Sequence, residues 1–234
     1  QGSIQDVSKY TELLSKMAAQ KQLALYSRDA KVQESLVSAG IDGGLAPAEG
    51  DYLMVAEANI GANKSSPYMK QDISRKLVVD AAGRATVELV IERKHTGQYL
   101  HQYVDPHDGR TKWLVGVNAS YLKLALPVGS KVLSKDFDLS REVYTESGRD
   151  VVTFFSGLEP GSAATYKLTY ELPFRYSMGS EVVIRSFVEK PIGGFAQTVS
   201  HVVELPAAYQ IAEGSLVKNA QLESGLGSRI VYRR

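Results

Sequence analysis

Residues 95–113, HTGQYLHQYVDPHDGRTKW, gather three of the four histidines of the chain with Asp105 and Asp108. Imidazole and carboxylate are the ligands a zinc site uses. Yet His95, His101 and His107 recur six apart, and that spacing matches no compact ligand motif. A long polar loop between strands explains them equally well, so no metal is expected. The same stretch carries Tyr99, Tyr103 and Trp113, the sole tryptophan. Aromatic faces on a polar loop can form a platform for sugar rings, or they can pack the loop onto a sheet. Both readings stay open.

A second stretch, NIGANKSSPYMKQD at 59–72, is rich in asparagine, serine and glycine. A phosphate loop needs glycine immediately before its lysine and another five residues earlier. Asn63 and Ala58 hold those positions, and a strand rather than a helix is expected to follow, so nucleotide binding by this route is rejected. One reading puts Asn59, Gly61 and Asn63 in turn or left-handed conformations between two strands. The other brings Lys64 and the asparagine amides to an anionic or sugar ligand. The candidate binding residues are therefore Asn59, Asn63, Lys64, Tyr68, Tyr99, Tyr103 and Trp113.

Catalytic constellations are missing. Neither a G-x-S-x-G elbow nor H-E-x-x-H occurs, and no carboxylate pair stands out as an acid/base couple. Absent cysteine excludes thiol nucleophiles, thiolate metal sites and disulfides. No catalytic residue, metal or cofactor is assigned. Arg175, Arg185 and Lys190 read as solvated. A net charge of +1 gives no bulk field for nucleic acid, and none is expected as a partner. No apolar run approaches the ~20 residues of a membrane helix. Gln1-Gly2-Ser3 has the look of a cloning remnant, so the chain is expected to be a piece of something longer.

The elements that must position these residues change character near residue 50. Ile4, Val7, Tyr10, Leu13, Leu14 and Met17 recur at helical spacing. QLALY at 22–26 reads as a short strand, and Asp29 as the N-cap of a helix carrying Val32, Leu36 and Val37. A glycine-rich loop closes this α-β-α piece at 39–50. Beyond it the period is two. Val87, Leu89 and Ile91 share one face; Leu122, Leu124 and Leu126 another; Tyr166, Leu168, Tyr170 and Leu172 a third. DAAGR at 80–84 reads as a hairpin connection. RIVYRR at the end reads as an edge strand whose charges discourage pairing with other chains. Roughly eight short strands without helical crossovers predict a mainly antiparallel sandwich of immunoglobulin-like type. The expected division is a small α/β segment at 1–58, a junction loop at 59–72 and a β-sandwich at 73–234.

The run from Asp42 through His95 resembles the C-terminal signature of a bacterial family, domain of unknown function 4012. The matching features are the Asp42-Gly43 turn, the strand Leu53 to Ala56, the Asn59 to Ser65 segment, Tyr68, and Ile73 opening a strand. YLKLALPVGSKVL and SGLEPGSAATYKLTYELP are similar to the sandwich that follows in that family. The resemblance implies a protein anchored by an N-terminal membrane helix outside this chain, with the rest extracytoplasmic at the cell surface. The upstream part of such proteins resembles the LytR-CpsA-Psr enzymes, which transfer glycans from a lipid pyrophosphate. Any catalytic arginines and aspartates of that kind would lie upstream, and 1–58 would be the tail of that domain. The expected partners are a cell-envelope glycan or another surface protein. Two functions follow: a non-catalytic module for binding or positioning, or the accessory substrate-binding half of an envelope-glycan transferase.

Overall fold

In a computed structural model, residues 4–234 are described. Gln1, Gly2 and Ser3, read above as a cloning remnant, lie outside the described residues, as do the side chains of Ile4 and Val7. The chain opens with α1 (Ile4–Ala19) and α2 (Ala30–Ser38). The first strands are β1 (Asp51–Asn59), β2 (Met69–Val79), β3 (Arg84–His95), β4 (Leu100–Val104) and β5 (Thr111–Val115). The middle holds β6 (Asn118–Leu126), β7 (Lys131–Lys135), β8 (Tyr144–Glu146), β9 (Arg149–Leu158) and β10 (Ala163–Arg175). The last five are β11 (Glu181–Glu189), β12 (Gln197–Glu204), β13 (Gln210–Glu213), β14 (Val217–Gln221) and β15 (Gly225–Arg233).

The chain is mainly β. A seven-stranded sheet runs β13-β15-β11-β1-β6-β9-β8, and a six-stranded sheet runs β14-β12-β2-β3-β10-β7. β4 and β5 form a separate two-stranded hairpin. Pairing is antiparallel except for β1 beside β11 and β2 beside β12. One apolar cluster lies between the two large sheets. It contains the expected inner rows Val87, Leu89 and Ile91; Leu122, Leu124 and Leu126; and Leu168, Tyr170 and Leu172, with Tyr166 partly buried against it. Strand alternation imposes this, since residues two apart share a face.

The turn at 80–84 is the expected hairpin. Ala82 N and Arg84 N both donate to Asp80 Oδ1, at 2.8 and 2.9 Å. Gly83 sits at φ 76°, where a Cβ would stand 2.0 Å from the Tyr176 carbonyl oxygen. Only glycine fits there.

Several expectations fail. Residues 51–58 are not the tail of an upstream piece: β1 is the middle strand of the seven-stranded sheet, and Leu53 and Val55 are in its core. The loop after it therefore joins one sheet to the other, not an α/β segment to a sandwich. The chain forms more than eight strands, because β7, β8, β13 and β14 are too short to show alternation. Residues 22–26 are not a strand. Leu25 N donates to Ile41 O at 2.8 Å, but the segment joins no sheet, and Leu25 and Tyr26 are exposed. The terminal RIVYRR run is no edge strand: β15 is flanked by β11 and β13. Lys190 is buried, its ammonium donating to Gln20 O at 2.6 Å.

The two helices lie outside the core. Asp29 does cap α2, its Oδ1 accepting from Lys31 N and Val32 N. Tyr10, Leu13, Leu14, Val32 and Val37 remain exposed, so the helical spacing marks a face that no described residue covers. Glu189 holds this segment to the sandwich. Its carboxylate accepts from Lys21, from Tyr52 Oη and from Ala46 N. No helix among the described residues is long and apolar enough to cross a membrane.

Candidate binding cleft at the loop end of the sandwich

The asparagine loop lies between the end of β1 and the start of β2. Asn59 Oδ1 accepts from Gly61 N at 3.0 Å, and Asn59 Nδ2 donates to Asn63 Oδ1 at 3.1 Å. Asn63 Nδ2 donates to Val117 O at 2.8 Å, and Asn63 Oδ1 accepts from Ser65 N at 3.0 Å. Lys64 N donates to Leu114 O at 2.7 Å. Both asparagine side chains are thus spent on the loop and on the connection between β5 and β6. They are not the left-handed residues: Ala62 takes that role at φ 52°, a conformation that side chains disfavour.

Against this loop stands the β4–β5 hairpin. Its tip is closed by Lys112, which reaches Asp105 at 2.6 Å and Asp108 at 2.9 Å. This contact holds both carboxyls below the usual carboxylate range. The rings of Tyr99 and Trp113 lie 5.0 Å apart and tilted by 53°. The Tyr99 hydroxyl donates to Glu159, which fixes the ring plane. His101 sits in the hairpin at φ 51°. Strained residues of this kind concentrate at functional sites.

Tyr99, Tyr103, Trp113 and Asn63 line one open cleft of about 380 Å³, with Gly61, Lys112 and Gly116. Tyr99 and Tyr103 are each more than 40% exposed, so their faces meet solvent rather than pack the loop down. The fold brings together four of the seven candidates, drawn from stretches some forty residues apart. Lys64 and Tyr68 do not line this cleft. Lys64 is exposed, and Tyr68 stacks on His95 with ring centroids 6.5 Å apart. Asn59 lines a different cavity on the other flank of its loop.

The histidines disperse. His95 is buried: Gly97 N donates to its Nδ1 at 3.1 Å, so its proton is on Nε2, which donates to Gly116 O at 3.0 Å. His101 and His107 are exposed. Among the described residues no three histidine or carboxylate side chains converge as metal ligands.

Sequence reasoning missed the polar layer beneath the cleft. Arg93, Asn118, Ser65 and Ser156 are buried, with Glu57 nearly so. Arg93 pairs with Glu57 and donates to Ser156 Oγ at 2.7 Å and Asn118 Oδ1 at 3.2 Å. Asn118 Nδ2 donates to Ser65 Oγ at 3.1 Å, tying the layer to the loop. The signal was available: Arg93 continues the inner row of Val87, Leu89 and Ile91 by strict alternation.

No protein-family model matches the chain, and no curated protein sequence matches it. Among solved structures it is similar to a protein described as nutrient-binding from Legionella pneumophila, at 10% identity and TM-score 0.38, covering 78% of this chain and 71% of that one. It is also similar to an M1 zinc metallopeptidase from Deinococcus radiodurans, at 12% identity and TM-score 0.34, covering 71% of this chain and 42% of the peptidase. Likenesses this distant carry no argument about what this chain does.

Proposed function

We propose that the chain is a non-catalytic β-sandwich binding module of an extracytoplasmic, membrane-anchored bacterial envelope protein, and that its aromatic cleft takes a cell-envelope glycan. The observation that carries this reading is the exposed Tyr99 and Tyr103, with the half-buried Trp113 beside them, set over a rigid, polar-backed loop. Sugar rings present C–H faces to aromatic rings and hydroxyls to amides and ammonium groups. The cleft offers both kinds of surface. An immunoglobulin-like use of the sandwich, with binding confined to loops at one end, belongs to this proposal. The envelope context rests on the family resemblance of residues 42–95.

The alternative, an accessory half of a glycan transferase, would draw Lys64 and Asn63 into substrate contact. What favours the binding module is that Asn63 spends its amide on Val117 O and Ser65 N, while Lys64 does not line the cleft. The test is binding of envelope glycans to the wild type, Trp113→Ala and Tyr103→Ala on an array. Losing an anchor ring of the cleft is expected to weaken binding by about tenfold or more, with the melting temperature little changed in Tyr103→Ala, whose ring is exposed. Unaltered glycan binding in both variants, or no glycan bound by the wild type, would sink the reading.

A further inference from the structure

A cavity of about 700 Å³ opens between the helical segment and the outer face of the seven-stranded sheet. β11 turns Val182, Ile184 and Val188 to the core, so alternation turns Phe187 outward, where it forms one wall. Ala18, Val37, Ile41 and Leu45 of the segment form the other. The size and the apolar lining are those of a small-ligand site, typically about 300–1,000 Å³. Glycines shape both walls. A Cβ at Gly225 would stand 2.3 Å from Phe187 Cζ, so only the bare backbone of β15 leaves room for the ring where it lies. Gly40 ends α2 at φ 68°, and Ile41 N donates back to Leu36 O at 3.1 Å, which turns Ile41 into the lining. The polar ties of the segment to Glu189 lie at one edge, and α2 buries no residue, so the two walls are not packed together.

Charge narrows what the ligand carries. Lys21 and Asp42 are the charged residues of the lining. The Lys21 ammonium is already paired with Glu189. Asp42 is half-buried, and its carboxylate has neither an ion pair nor a hydrogen bond among the described residues. A Cβ on Gly44 would stand 2.7 Å from Asp42 Oδ2, so a further glycine of the lining makes room for the carboxylate. One uncompensated negative charge therefore stands beside an apolar surface. An anionic ligand would be repelled by Asp42, and a wholly apolar one would cover it without replacing its water. An ammonium gives it a charge-assisted hydrogen bond, and an apolar body attached to that ammonium suits Phe187, Val37 and Leu45.

We propose that this cavity binds an amphiphilic amine, with its ammonium at Asp42 and its alkyl body between Phe187 and α2. The site shares no lining residue with the aromatic cleft and does not depend on the reading of that cleft.

The experiment is calorimetric titration of the whole chain with octylamine, octanol and octanoate, three ligands with one chain length and different heads, with proton–nitrogen NMR to place the contacts. Octylamine is expected to bind saturably, to shift residues 40–47, 187 and 225, and to bind more tightly than octanol, with octanoate weakest. Asp42→Asn should weaken octylamine about tenfold, the worth of one charge-assisted hydrogen bond, and leave octanol unchanged. Gly225→Val drives the Phe187 ring off its seat and should weaken octylamine and octanol alike. Val37→Lys, on an exposed position of α2 where folding is not at stake, sets a like charge in the wall and should weaken octylamine more than octanol. No saturable binding of octylamine overturns the proposal. So does octanol or octanoate binding as tightly as the amine, octylamine binding unaltered in both Asp42→Asn and Val37→Lys, or shifts confined to residues 99–113, which would put the amine in the aromatic cleft instead.

Discussion

At the scale of single residues, the loop and the core make opposite demands on polar groups. Asn63 bridges its own loop and the β5–β6 connection, whereas Lys64 is exposed and its ammonium has no ion pair among the described residues. Asn63→Ala should therefore cost about 1–3 kcal/mol through the orphaned Val117 carbonyl and Ser65 amide. Lys64→Ala should stay within about 0.5 kcal/mol. Chemical denaturation of both variants checks this; equal effects would mean the loop is held by something other than the asparagine. Deeper in, His201 lies between Arg75 and Ser186, with Arg75 in turn paired to Asp51 and donating to Tyr170 Oη. Burial, reinforced by the Arg75 charge, pushes the His201 imidazole down to about 3. An unfolded histidine titrates near 6.5. Between those values the unfolded chain binds the extra proton, so stability is full above pH 6.5 and falls as the pH drops toward 3. The loss attributable to His201 is at most of order 5 kcal/mol. The carboxyls of Asp80, Asp105 and Asp108 are held low by their partners, so their contribution fades only at more acidic pH. Melting temperatures between pH 6.5 and 4.5 thus isolate the histidine. His201→Gln should flatten that slope; an unchanged slope would show that the histidine is not the titrating group.

At the scale of elements, alternation made the inner rows of β3, β6 and β10 readable, because each strand carries three or more apolar residues of one parity. Parity was equally informative in β2, where Met69, Gln71, Ile73, Arg75, Leu77 and Val79 all face inward. The two polar members, Gln71 and Arg75, obscured it, since polar residues are ordinarily placed outside. β1 was assigned to the wrong piece for a different reason. Its pairing partners are β11 and β6, and nothing local reveals a parallel neighbour some 130 residues away. The cleft shared that fate: its aromatic half was legible as a group, but that Asn63 lies opposite it follows only from the docking of the β4–β5 hairpin. The buried pair of β1 and β2 makes a sharp test. Asp51→Asn leaves the Arg75 guanidinium uncompensated between the sheets and should cost about 3–5 kcal/mol. A cost below 1 kcal/mol would mean that water reaches Arg75.

At the scale of the whole molecule, all of the shared apolar cluster lies between Leu53 and Tyr232. Among the described residues nothing before residue 50 contributes to it, and α2 has no buried residue. The helical segment is held instead by polar contacts at one edge: Glu189 with Lys21 and Ala46 N, Lys190 with Gln20 O, and Arg149 with Ala46 O at 3.1 Å. Contacts of this kind position a segment more than they stabilise a core, because each exchanges a bond to water for a bond to protein. Removing residues 1–48 would leave every strand and every core side chain in place. It would also return Glu189 and Lys190 to water, so neither charge is stranded. The truncated chain should therefore fold cooperatively, with a melting temperature within a few degrees of the parent and an undiminished aromatic cleft. In the intact chain, Glu189→Ala should leave the sandwich stable but expose residues 20–47 to protease, since the carboxylate that gathers Lys21, Tyr52 and Ala46 is gone. Limited proteolysis followed by mass spectrometry reads the cut sites directly. If cleavage appears within β1 or β11 as well, or if the truncated chain does not fold, the helical segment is part of the cooperative unit, and the division drawn from the core is wrong.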